Sequence, residues 1–456
     1  MSISNTKNLA NGRLHGNEIT ITYRSITELT LNPNNPRIHT PKQIHQLARS
    51  IATFGFTVPI LVTGQDQVIA GHGRLLAAKE LGIIHVPTIC LEHLTERQIQ
   101  AYVIADNKLA ENATWNEKLL AEQFKALSLV KLDFSLEITG FDMGEIDLLI
   151  EGLSPLTDDD GDPADALPND LSEHVVTHPG DLWILDNHRI YCGSALDAEA
   201  YAVLMNSKQA SMIFTDPPYN VPIEGHASGL GSIHHKEFVM ACGEMDPDTF
   251  TQFLTNALTN LAHHSAPGSL HYVCMDWRHI GELYAAGQTV YTELKNLCIW
   301  VKDNGGMGSL YRSQHELIFV FKNGTASHQN HVQLGQFGRY RSNVWNYPGV
   351  NSFGRTTEEG NLLALHPTIK PVALVADAIL DCSSRGDIVL DAFLGSGSTV
   401  MAGERTGRIC YGIEIDPVYV DTAIRRWQTY TGQTAVHSES GQTFNGLEAE
   451  RKCAHG

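Results

Sequence analysis

Four consecutive residues, Asp216-Pro217-Pro218-Tyr219, combine a carboxylate, a rigid turn and an aromatic ring at the end of an apolar run. The run from Met212 to Phe214 predicts a buried strand, and the two prolines end it because they cannot continue a sheet ladder. In open α/β sheets, ligands bind at the carboxyl ends of the strands. The tetrapeptide therefore carries reactive groups to an edge that a substrate can reach.

These residue types suit methyl transfer to an exocyclic amine of a DNA base. Such an amine is a poor nucleophile because its lone pair is delocalised into the ring. Hydrogen bonds from the amine to the Asp216 carboxylate, and to a backbone carbonyl fixed by Pro217-Pro218, would favour a more tetrahedral nitrogen. Tyr219 offers a flat face on which an extruded base can stack. The alternative for the tetrapeptide alone is a strand followed by an ordinary Asp-Pro-Pro turn.

A second set of candidate residues follows the strand predicted at 387–390. It reads Asp391-Ala392-Phe393-Leu394-Gly395-Ser396-Gly397, and Glu414 lies at the end of the next predicted strand. This is a βαβ unit with a glycine turn and an acid placed for ribose hydroxyls. Val400 stands where a dinucleotide fingerprint has its third glycine, which disfavours pyrophosphate. A ligand that carries a carboxylate, such as S-adenosylmethionine, fits as well or better.

Together with His366-Pro367-Thr368-Ile369-Lys370-Pro371, these motifs resemble the DNA amino-methyltransferases whose catalytic motif precedes the cofactor motif, the β group. The resemblance covers about residues 180–430 and implies a Rossmann-like, S-adenosylmethionine-dependent α/β sheet. It implies that Asp216, Pro217, Pro218 and Tyr219 hold the target amine and base. The cofactor contacts that it implies, the first two at the methionine end, are Thr368, Lys370, Asp391, Phe393, Gly395, Gly397 and Glu414. Ser194 departs from the family, which often has an acid at that position.

The net charge of −19 opposes a general affinity for DNA phosphates, but the charge is unevenly distributed. Residues 301–345 are basic, and in 337–345 arginines alternate with aromatic residues, a pattern that suits phosphate contact and base stacking. The predicted DNA contacts are Arg312, Arg339 and Arg341. For 337–345 alone, an ordinary surface loop remains the alternative.

Near the amino terminus, Gly71-His72-Gly73-Arg74 opens a predicted helix, so backbone N–H groups and a guanidinium could face an anion. An ordinary strand–helix turn is the alternative. Four ordered motifs in residues 20–115 resemble the amino-terminal domain of ParB-type chromosome-partition proteins, a small α+β domain. The resemblance implies phosphate contacts by Gly71, Gly73 and Arg74, with Arg37 and the Asp106–Asn112 segment nearby. One arginine and one acid of the partition proteins are missing here, which puts nucleotide turnover in doubt.

Composition predicts how the chain is divided. The expected segments are a ParB-like domain (20–115), a helical extension (116–151), an acidic linker (152–172), a methyltransferase domain (173–430, with a target-recognition insertion at about 221–360) and a disordered tail (431–456). The extension predicts two amphipathic helices and no partition-type helix-turn-helix. Because the linker is acidic and contains proline, we expect it to be solvated and residues 173–456 to fold alone.

Several function classes are disfavoured by composition. No apolar run reaches the length of a membrane span, and nothing at the amino terminus resembles a signal peptide, so a cytoplasmic location is expected. The eight cysteines form no Cys-x-x-Cys pair, which indicates free thiols of a reducing compartment and no metal site.

The sequence predicts a site-specific DNA methyltransferase that acts on adenine N6. The alternatives are N4-cytosine methylation, which shares the chemistry, and a catalytically silent DNA-binding or partition-type regulator. The expected partners are double-stranded DNA and a nucleoside triphosphate at the first domain, with no membrane association. The chain is expected to be a monomer or a homodimer.

Overall fold

The computed structural model describes residues 20–130, 132–153, 162–166, 175–221, 243–303, 305, 310–332, 341–349 and 369–454. The chain divides into two units, a first unit of Met1–Asp142 and a second unit of Met143–Gly456. Among the described residues, no helix combines the length and the apolar character that crossing a bilayer requires. Arg339 and Thr368, two of the predicted site residues, lie outside the described residues.

The first unit contains a four-stranded mixed sheet. Its strands are β1 (Ile21–Ser25), β2 (Ile60–Val62), β3 (Val68–Ala70) and β4 (His85–Cys90), in the spatial order β1-β4-β2-β3. Its helices are α1 (Pro41–Phe54), α2 (His72–Glu80), α3 (Glu96–Glu111) and α4 (Glu117–Ser128). Thr40 caps α1: its hydroxyl accepts a hydrogen bond from the Gln43 N–H.

The second unit is organised around one ten-stranded mixed sheet. Its strands are β5 (Leu182–Leu185), β6 (His188–Cys192), β7 (Ala210–Thr215), β8 (Ser265–Met275), β9 (Glu293–Val301), β10 (His315–Lys322), β11 (Val344–Asn346), β12 (Ile388–Asp391), β13 (Ile409–Glu414) and β14 (Val436–His437). The spatial order is β11-β9-β10-β8-β7-β12-β13-β6-β5-β14. This arrangement confirms the predicted Rossmann-like α/β fold.

Helices follow most of these strands and cover the sheet on both faces, where two apolar cores form. The helices of the second unit are α5 (Met143–Glu151), α6 (Ala198–Met205), α7 (Pro247–His263), α8 (Ile280–Val290), α9 (Val372–Cys382), α10 (Ser398–Thr406), α11 (Pro417–Thr431) and α12 (Phe444–Ala454). Short 3₁₀ helices add Leu136–Thr139 in the first unit, and Pro163–Asp165 and Trp277–His279 in the second.

The centre of the large sheet is parallel. β6, β13, β12, β7 and β8 run in one direction, while β10 pairs antiparallel with β8. From β7 the chain continues to β8 on one side, and from β12 it continues to β13 on the other. The gap between the carboxyl ends of β7 and β12 is therefore the topological switch point, where a doubly wound sheet opens a crevice for ligands.

The predicted solvated linker is wrong for its described part, Asp162–Ala166. Ala164 is fully buried, and Asp165 Oδ1 accepts a hydrogen bond of 2.8 Å from the Val372 N–H of α9. These residues pack against the second unit because their acids satisfy a helix N-terminus and an arginine there. Acidic composition alone does not distinguish such capping acids from solvated ones.

The predicted disordered tail is also wrong. β14 pairs antiparallel with β5, and Phe444 of α12 is fully buried with its ring 5.2 Å from that of Trp183. Burial of a large aromatic ring supplies the apolar area that orders this segment.

The predicted helical extension is divided between the units, because α5 belongs to the second one. Asp147 of α5 is 1% exposed and binds the guanidinium of Arg408 through both of its oxygens, at 3.1 and 2.8 Å. Arg385 Nε lies 2.9 Å from the same carboxylate. This buried ion cluster holds α5 on the rest of the second unit.

Candidate active site at the switch point

Asp216 follows β7 directly and lies at the switch point. Pro217 and Pro218 end the strand, and Asn220 adopts a left-handed conformation with φ of 53°. The Asn220 side chain then fixes the returning chain: its amide donates to the Met245 carbonyl at 2.8 Å and accepts from the Gly243 N–H at 3.0 Å. The turn that follows Asp216 is thus hydrogen-bonded through Asn220 to Gly243 and Met245, a feature that the sequence did not reveal.

Asp216 belongs to a cluster of four charged side chains, in which Lys370 and Glu316 are buried (5% and 10% exposed) and Asp216 and Lys302 are partly exposed (19% and 29%). Lys370 Nζ donates to Asp216 Oδ2 at 2.5 Å and lies 2.9 Å from Glu316 Oε2. Lys302 Nζ donates to the other oxygen of Glu316 at 2.5 Å. Two carboxylates and two ammonium groups leave the cluster neutral, which reduces the cost of burying it. We call Asp216, Glu316, Lys302 and Lys370 the charged cluster.

Aromatic rings surround the charged cluster. The Tyr219 hydroxyl oxygen lies 2.6 Å from Asp216 Oδ1 and 3.0 Å from Glu316 Oε2, so its proton can be donated to either carboxylate. Lys302 and Lys370 lie over the Trp300 ring, 4.6 and 5.7 Å from its centre. These contacts fix the orientation of the Tyr219 ring that the sequence proposes as a stacking surface.

Burial and the charges of neighbouring side chains shift the pKa values of the charged cluster, often in opposite directions. Burial raises the pKa of Asp216, Lys370 opposes this rise, and Glu316 adds to it. For Glu316, burial also acts upward, but Lys370 and Lys302 prevail and lower its pKa to about 2. The pKa of Lys370 is raised although burial opposes this, because Asp216 and Glu316 stabilise the ammonium form. Asp216 is therefore the member of the cluster best suited to take up a proton.

Asp391 joins the two halves of the switch point. Its Oδ1 accepts from the Thr215 hydroxyl at 2.9 Å and from the Phe393 N–H at 3.1 Å, and its Oδ2 accepts from the Thr399 hydroxyl at 2.6 Å. Burial raises the pKa of Asp391 to about 6. The sequence placed Asp391 among the cofactor contacts. The structure instead uses both of its oxygens to tie β7, β12 and α10 together.

The glycine turn between β12 and α10 has the features of a cofactor cradle. Gly397 has a φ of +87°, and a Cβ there would lie 2.7 Å from the Ala423 Cβ, so only glycine fits. The turn opens at the amino end of α10, where no side chain caps the helix. Ser398 Oγ is buried and has no hydrogen-bond partner among the described residues, which is expected where a polar ligand completes the site.

Glu414 faces this turn from the end of β13. Its Oε2 accepts from the Gly395 N–H at 2.8 Å and its Oε1 from the Asp416 N–H at 2.9 Å. Burial raises the pKa of Glu414 to about 7, although both N–H groups oppose the rise. Each carboxylate oxygen keeps a second lone pair, so the residue can still accept from ribose hydroxyls. Glycine turn, orphaned hydroxyl and acid together fit S-adenosylmethionine.

The structure treats the predicted DNA-contacting arginines differently. Arg312 is exposed in the connection between β9 and β10. Arg341 is not available to phosphate: its guanidinium contacts Asp381 at 3.1 Å and Asp377 at 3.0 Å, both on α9. Burial would lower the pKa of Arg341, but these carboxylates raise it, as expected for a committed ion pair. The prediction that Arg341 contacts DNA is therefore wrong.

In the first unit, Gly71 is the N-cap residue of α2 with a φ of +101°, and no described side chain caps the helix with a hydrogen bond. Arg74 folds back towards this end, where its Nη2 donates to the Pro59 carbonyl at 3.3 Å and its Nε is buried without a partner among the described residues. Gly73 has a packing reason to be glycine, since a Cβ would lie 2.8 Å from Leu47 Cδ1. Arg37 is paired with Glu111.

The doubly wound sheet places the glycine turn of the cofactor cradle beside the proline-fixed carboxylate of Asp216. This is the arrangement expected of a methyltransferase that acts on an amine. Comparison with family models assigns residues 210–425 to "DNA methylase", residues 118–179 to "ParB-methyltransferase HTH domain" and residues 10–107 to "ParB N-terminal domain". The second match corrects our expectation that no helix-turn-helix follows residue 115.

Known proteins resemble each part of the chain. The ParB-like nuclease domain-containing protein YnaK of Escherichia coli K12 is 42% identical over 83 residues, which are 18% of this chain and 95% of YnaK. The DNA adenine methyltransferase YhdJ of the same organism is 25% identical over 255 residues, 50% of this chain and 80% of YhdJ. The crystal structure of the M1.HpyAVI–SAM complex has a TM-score of 0.38 at 21% identity, covering 52% of this chain and 97% of that one.

Residues 210–425 form an S-adenosylmethionine-dependent DNA methylase domain of the N6/N4 amino type, and the chain carries a ParB-like amino-terminal domain. DNA is the substrate expected for a methyltransferase of this type.

Proposed function

We propose that this protein transfers a methyl group from S-adenosylmethionine to the N6 amine of adenine in DNA. The observation that carries the proposal is the carboxylate of Asp216, fixed at the switch point beside the cofactor cradle. An aspartate in the first position of the Asp-Pro-Pro-Tyr motif, where a serine would favour cytosine, supports adenine as the target. The resemblance to an adenine methyltransferase over half of the chain supports the same choice.

In the proposed mechanism, the chain's own groups activate and orient the amine. Asp216 and a backbone carbonyl of the Pro217-Pro218 turn accept the two N–H bonds, which localises the nitrogen lone pair. Tyr219 supports the extruded base, and Lys370 with Glu316 holds the carboxylate in place. S-adenosylmethionine, when bound, supplies an electrophilic methyl group on sulfur. On receiving the methyl group, with the sulfur as the leaving group, the nitrogen would lose one proton, which Asp216 would accept because its pKa is raised.

Expression in a bacterial host that lacks its own DNA methyltransferases tests the target base. Genomic DNA is digested to nucleosides and analysed by mass spectrometry, with an empty vector as the control. We expect N6-methyldeoxyadenosine. N4-methyldeoxycytidine would replace the proposal by the cytosine alternative, and absence of both from a host that contains the folded protein would favour the catalytically silent regulator.

For cofactor binding, we propose contacts by Phe393, Gly395, Gly397 and Glu414, with Thr368 at the methionine end. We keep Lys370 as a proposed cofactor-site residue that also connects this site to Asp216, because its ammonium group binds the catalytic carboxylate. Asp391 supports the site from behind through its three hydrogen bonds. Arg312 remains a proposed DNA contact, since it is exposed near the strand that carries Glu316.

Substitution of Glu414 tests the cofactor cradle. A glutamine has one acceptor oxygen, so Glu414→Gln cannot accept from both Gly395 and Asp416, and it loses the charge-assisted bonds to ribose. We expect S-adenosylmethionine to bind about tenfold more weakly, the effect of losing one charged hydrogen bond. Calorimetry measures the affinity, with the exposed Glu439→Gln as the matched control. An unchanged affinity would remove Glu414 from the cradle.

The same variant has a predicted pH signature. The pKa of Glu414 rises from 4.5 to about 7 on folding, so the native state binds its proton more tightly than the unfolded chain. The contribution of Glu414 to stability therefore decreases as pH rises through this window. The Tm of wild type minus the Tm of Glu414→Gln should decrease from pH 4.5 to pH 7. A difference that stays constant over this range would contradict the raised pKa.

We propose that the first unit binds a nucleoside triphosphate at the amino end of α2. Two observations support this role: the helix end carries no side-chain cap, and Arg74 Nε has no partner among the described residues. Burial lowers the pKa of Arg74, with Asp106 opposing, but the guanidinium stays charged at neutral pH.

A ligand that binds only the native state raises its melting temperature. We expect millimolar amounts of one of the four ribonucleoside triphosphates to raise the Tm of the first unit by about 5 °C, and Arg74→Ala to abolish the shift. Differential scanning calorimetry of the full chain measures it, with Arg97→Ala, an exposed arginine of α3, as the control. No shift with any of the four nucleotides would leave this unit as a docking domain.

A further inference from the structure

The short segment Asp162–Ala166, which we call the brace, contacts both halves of the candidate active site. It lies in the stretch whose composition predicts a solvated linker, yet Ala164 is fully buried in the core of the second unit. Its backbone and side chains reach α9, α10 and α11 of that unit.

The first contact holds the chain that carries Lys370. α9 begins at Val372, and Pro371 at its N-cap position provides no side-chain acceptor. Asp165 supplies the missing cap, because its Oδ1 accepts from the Val372 N–H at 2.8 Å. Lys370 precedes this helix by two residues and binds Asp216 in the charged cluster. A shift of the helix end would therefore move Lys370 relative to the catalytic carboxylate.

The second contact reaches the glycine turn. Arg426 of α11 is 2% exposed; its Nη2 donates to the Ala164 carbonyl at 2.8 Å and its Nη1 to the Ser396 carbonyl at 3.0 Å. Burial lowers the pKa of Arg426 to about 10, with Asp165 and Asp162 opposing, so it stays charged at neutral pH. One arginine thus connects the brace to the residue between Gly395 and Gly397.

A third contact is of a different kind. Asp162 pairs with Arg405 of α10 at 2.5 Å, and both side chains are partly exposed, at 24% and 30%. This pair attaches the same segment to the surface of the second unit without reaching the charged cluster or the glycine turn. It offers a matched internal control for effects that come from attachment alone.

We propose that Asp165 is a positioning residue: by capping α9 it fixes Lys370, and through Lys370 it fixes the orientation of Asp216. The inference rests on the proposed function, because it assigns Asp216 to the reacting amine. It makes a segment of the predicted solvated linker a part of the catalytic architecture.

Two readouts on the full-length protein test this role. The first is the rate at which an amine-directed reagent labels Lys370, followed by peptide mass spectrometry with Lys208 as the internal reference. The second is kcat for methyl transfer to DNA alongside KM for S-adenosylmethionine. The variants are Asp165→Ala, Asp165→Asn, whose amide oxygen can still cap α9, and the control Arg405→Ala. This control breaks the exposed pair but keeps the hydrogen bond of 3.0 Å from the Ala164 N–H to Asp162 within the brace.

For Asp165→Ala we expect labelling of Lys370 to rise and kcat to fall, each by about fivefold, the factor that matches loss of one helix cap. KM and Lys208 labelling should stay within twofold of wild type, roughly the scatter of a neutral surface change. Asp165→Asn should restore both values, and Arg405→Ala should change neither.

Unchanged Lys370 labelling in Asp165→Ala would overturn the proposal, as would equal effects of Asp165→Ala and Arg405→Ala. The labelling result does not depend on activity, so it stands even if wild type methylates no base. If Asp165→Ala does not fold, Asp165→Asn decides: it must match wild type in labelling and kcat, and a loss comparable to that of a misfolded chain contradicts the role.

Discussion

Replacement of Asp216 by asparagine is expected to reduce kcat for DNA methylation by about 10²–10³-fold, the effect typical of removing one group that stabilises the transition state. The amide cannot accept the amine's proton, and its NH₂ group would face Lys370 or the Tyr219 hydroxyl, which now occupy both carboxylate oxygens. Affinity for S-adenosylmethionine should change less than about threefold, because the variant keeps the glycine turn and Glu414. Single-turnover kinetics and calorimetry measure the two quantities separately.

Asp186→Asn is the matched control, since it makes the same chemical change in the exposed turn between β5 and β6, where Asp186 has a φ of 52° that asparagine tolerates. It should behave as wild type in both assays. An Asp216→Asn enzyme that keeps a kcat within a few-fold of wild type would remove Asp216 from the chemistry.

The second large effect concerns stability and the division of the chain. Asp147→Ala should lower the unfolding free energy of the second unit by about 3–5 kcal/mol, because it leaves Arg408 buried without its carboxylate. Urea unfolding followed by tryptophan fluorescence reports on this unit, which contains every tryptophan except Trp115. For the same reason we now predict, against the expectation from the sequence, that residues 173–456 do not fold stably alone: that fragment lacks Asp147 and the brace, whereas 143–456 keeps both.

The exposed pair of Asp162 with Arg405 provides the comparison. Asp162→Ala should cost less than about 1 kcal/mol, as surface ion pairs do. If Asp147→Ala were as stable as Asp162→Ala, or if 173–456 melted as cooperatively as 143–456, α5 would not be an integral part of the second unit.

Much of the fold could be predicted because its signals are local. Prolines that end an apolar run and a glycine turn after a buried strand each depend on residues close in sequence. The structure shows both of these elements where the sequence predicts them. Glu414 also falls at a strand end by the same local reasoning.

The charged cluster could not be predicted in this way, because its members come from separate elements. Lys302 directly follows β9, Glu316 lies on β10 and Lys370 precedes α9. Only the folded sheet therefore brings them to Asp216. Counting Lys302 as part of a basic stretch missed that its charge is already neutralised by Glu316. Arg341 was misjudged for the same reason, since its partners lie on α9.

Acidic composition was the least reliable signal. In Asp162–Ala166 the acids are a helix cap and an ion pair, and Asp147 of α5 is the partner of a buried arginine. A carboxylate that caps or pairs has the same composition as one in a solvated linker. The distinction depends on distant donors that a linear pattern does not contain.

An isotope experiment tests most directly whether the Asp216 site methylates adenine N6. Unmethylated DNA is incubated with S-adenosylmethionine that carries a deuterated methyl group, and with either wild type or Asp216→Asn. The nucleosides are then resolved by mass spectrometry. We predict deuteromethyl label on the N6 amine of deoxyadenosine with wild type and a loss of nearly all of it with Asp216→Asn. Label on deoxycytidine, or equal label on deoxyadenosine from both enzymes, would contradict the account.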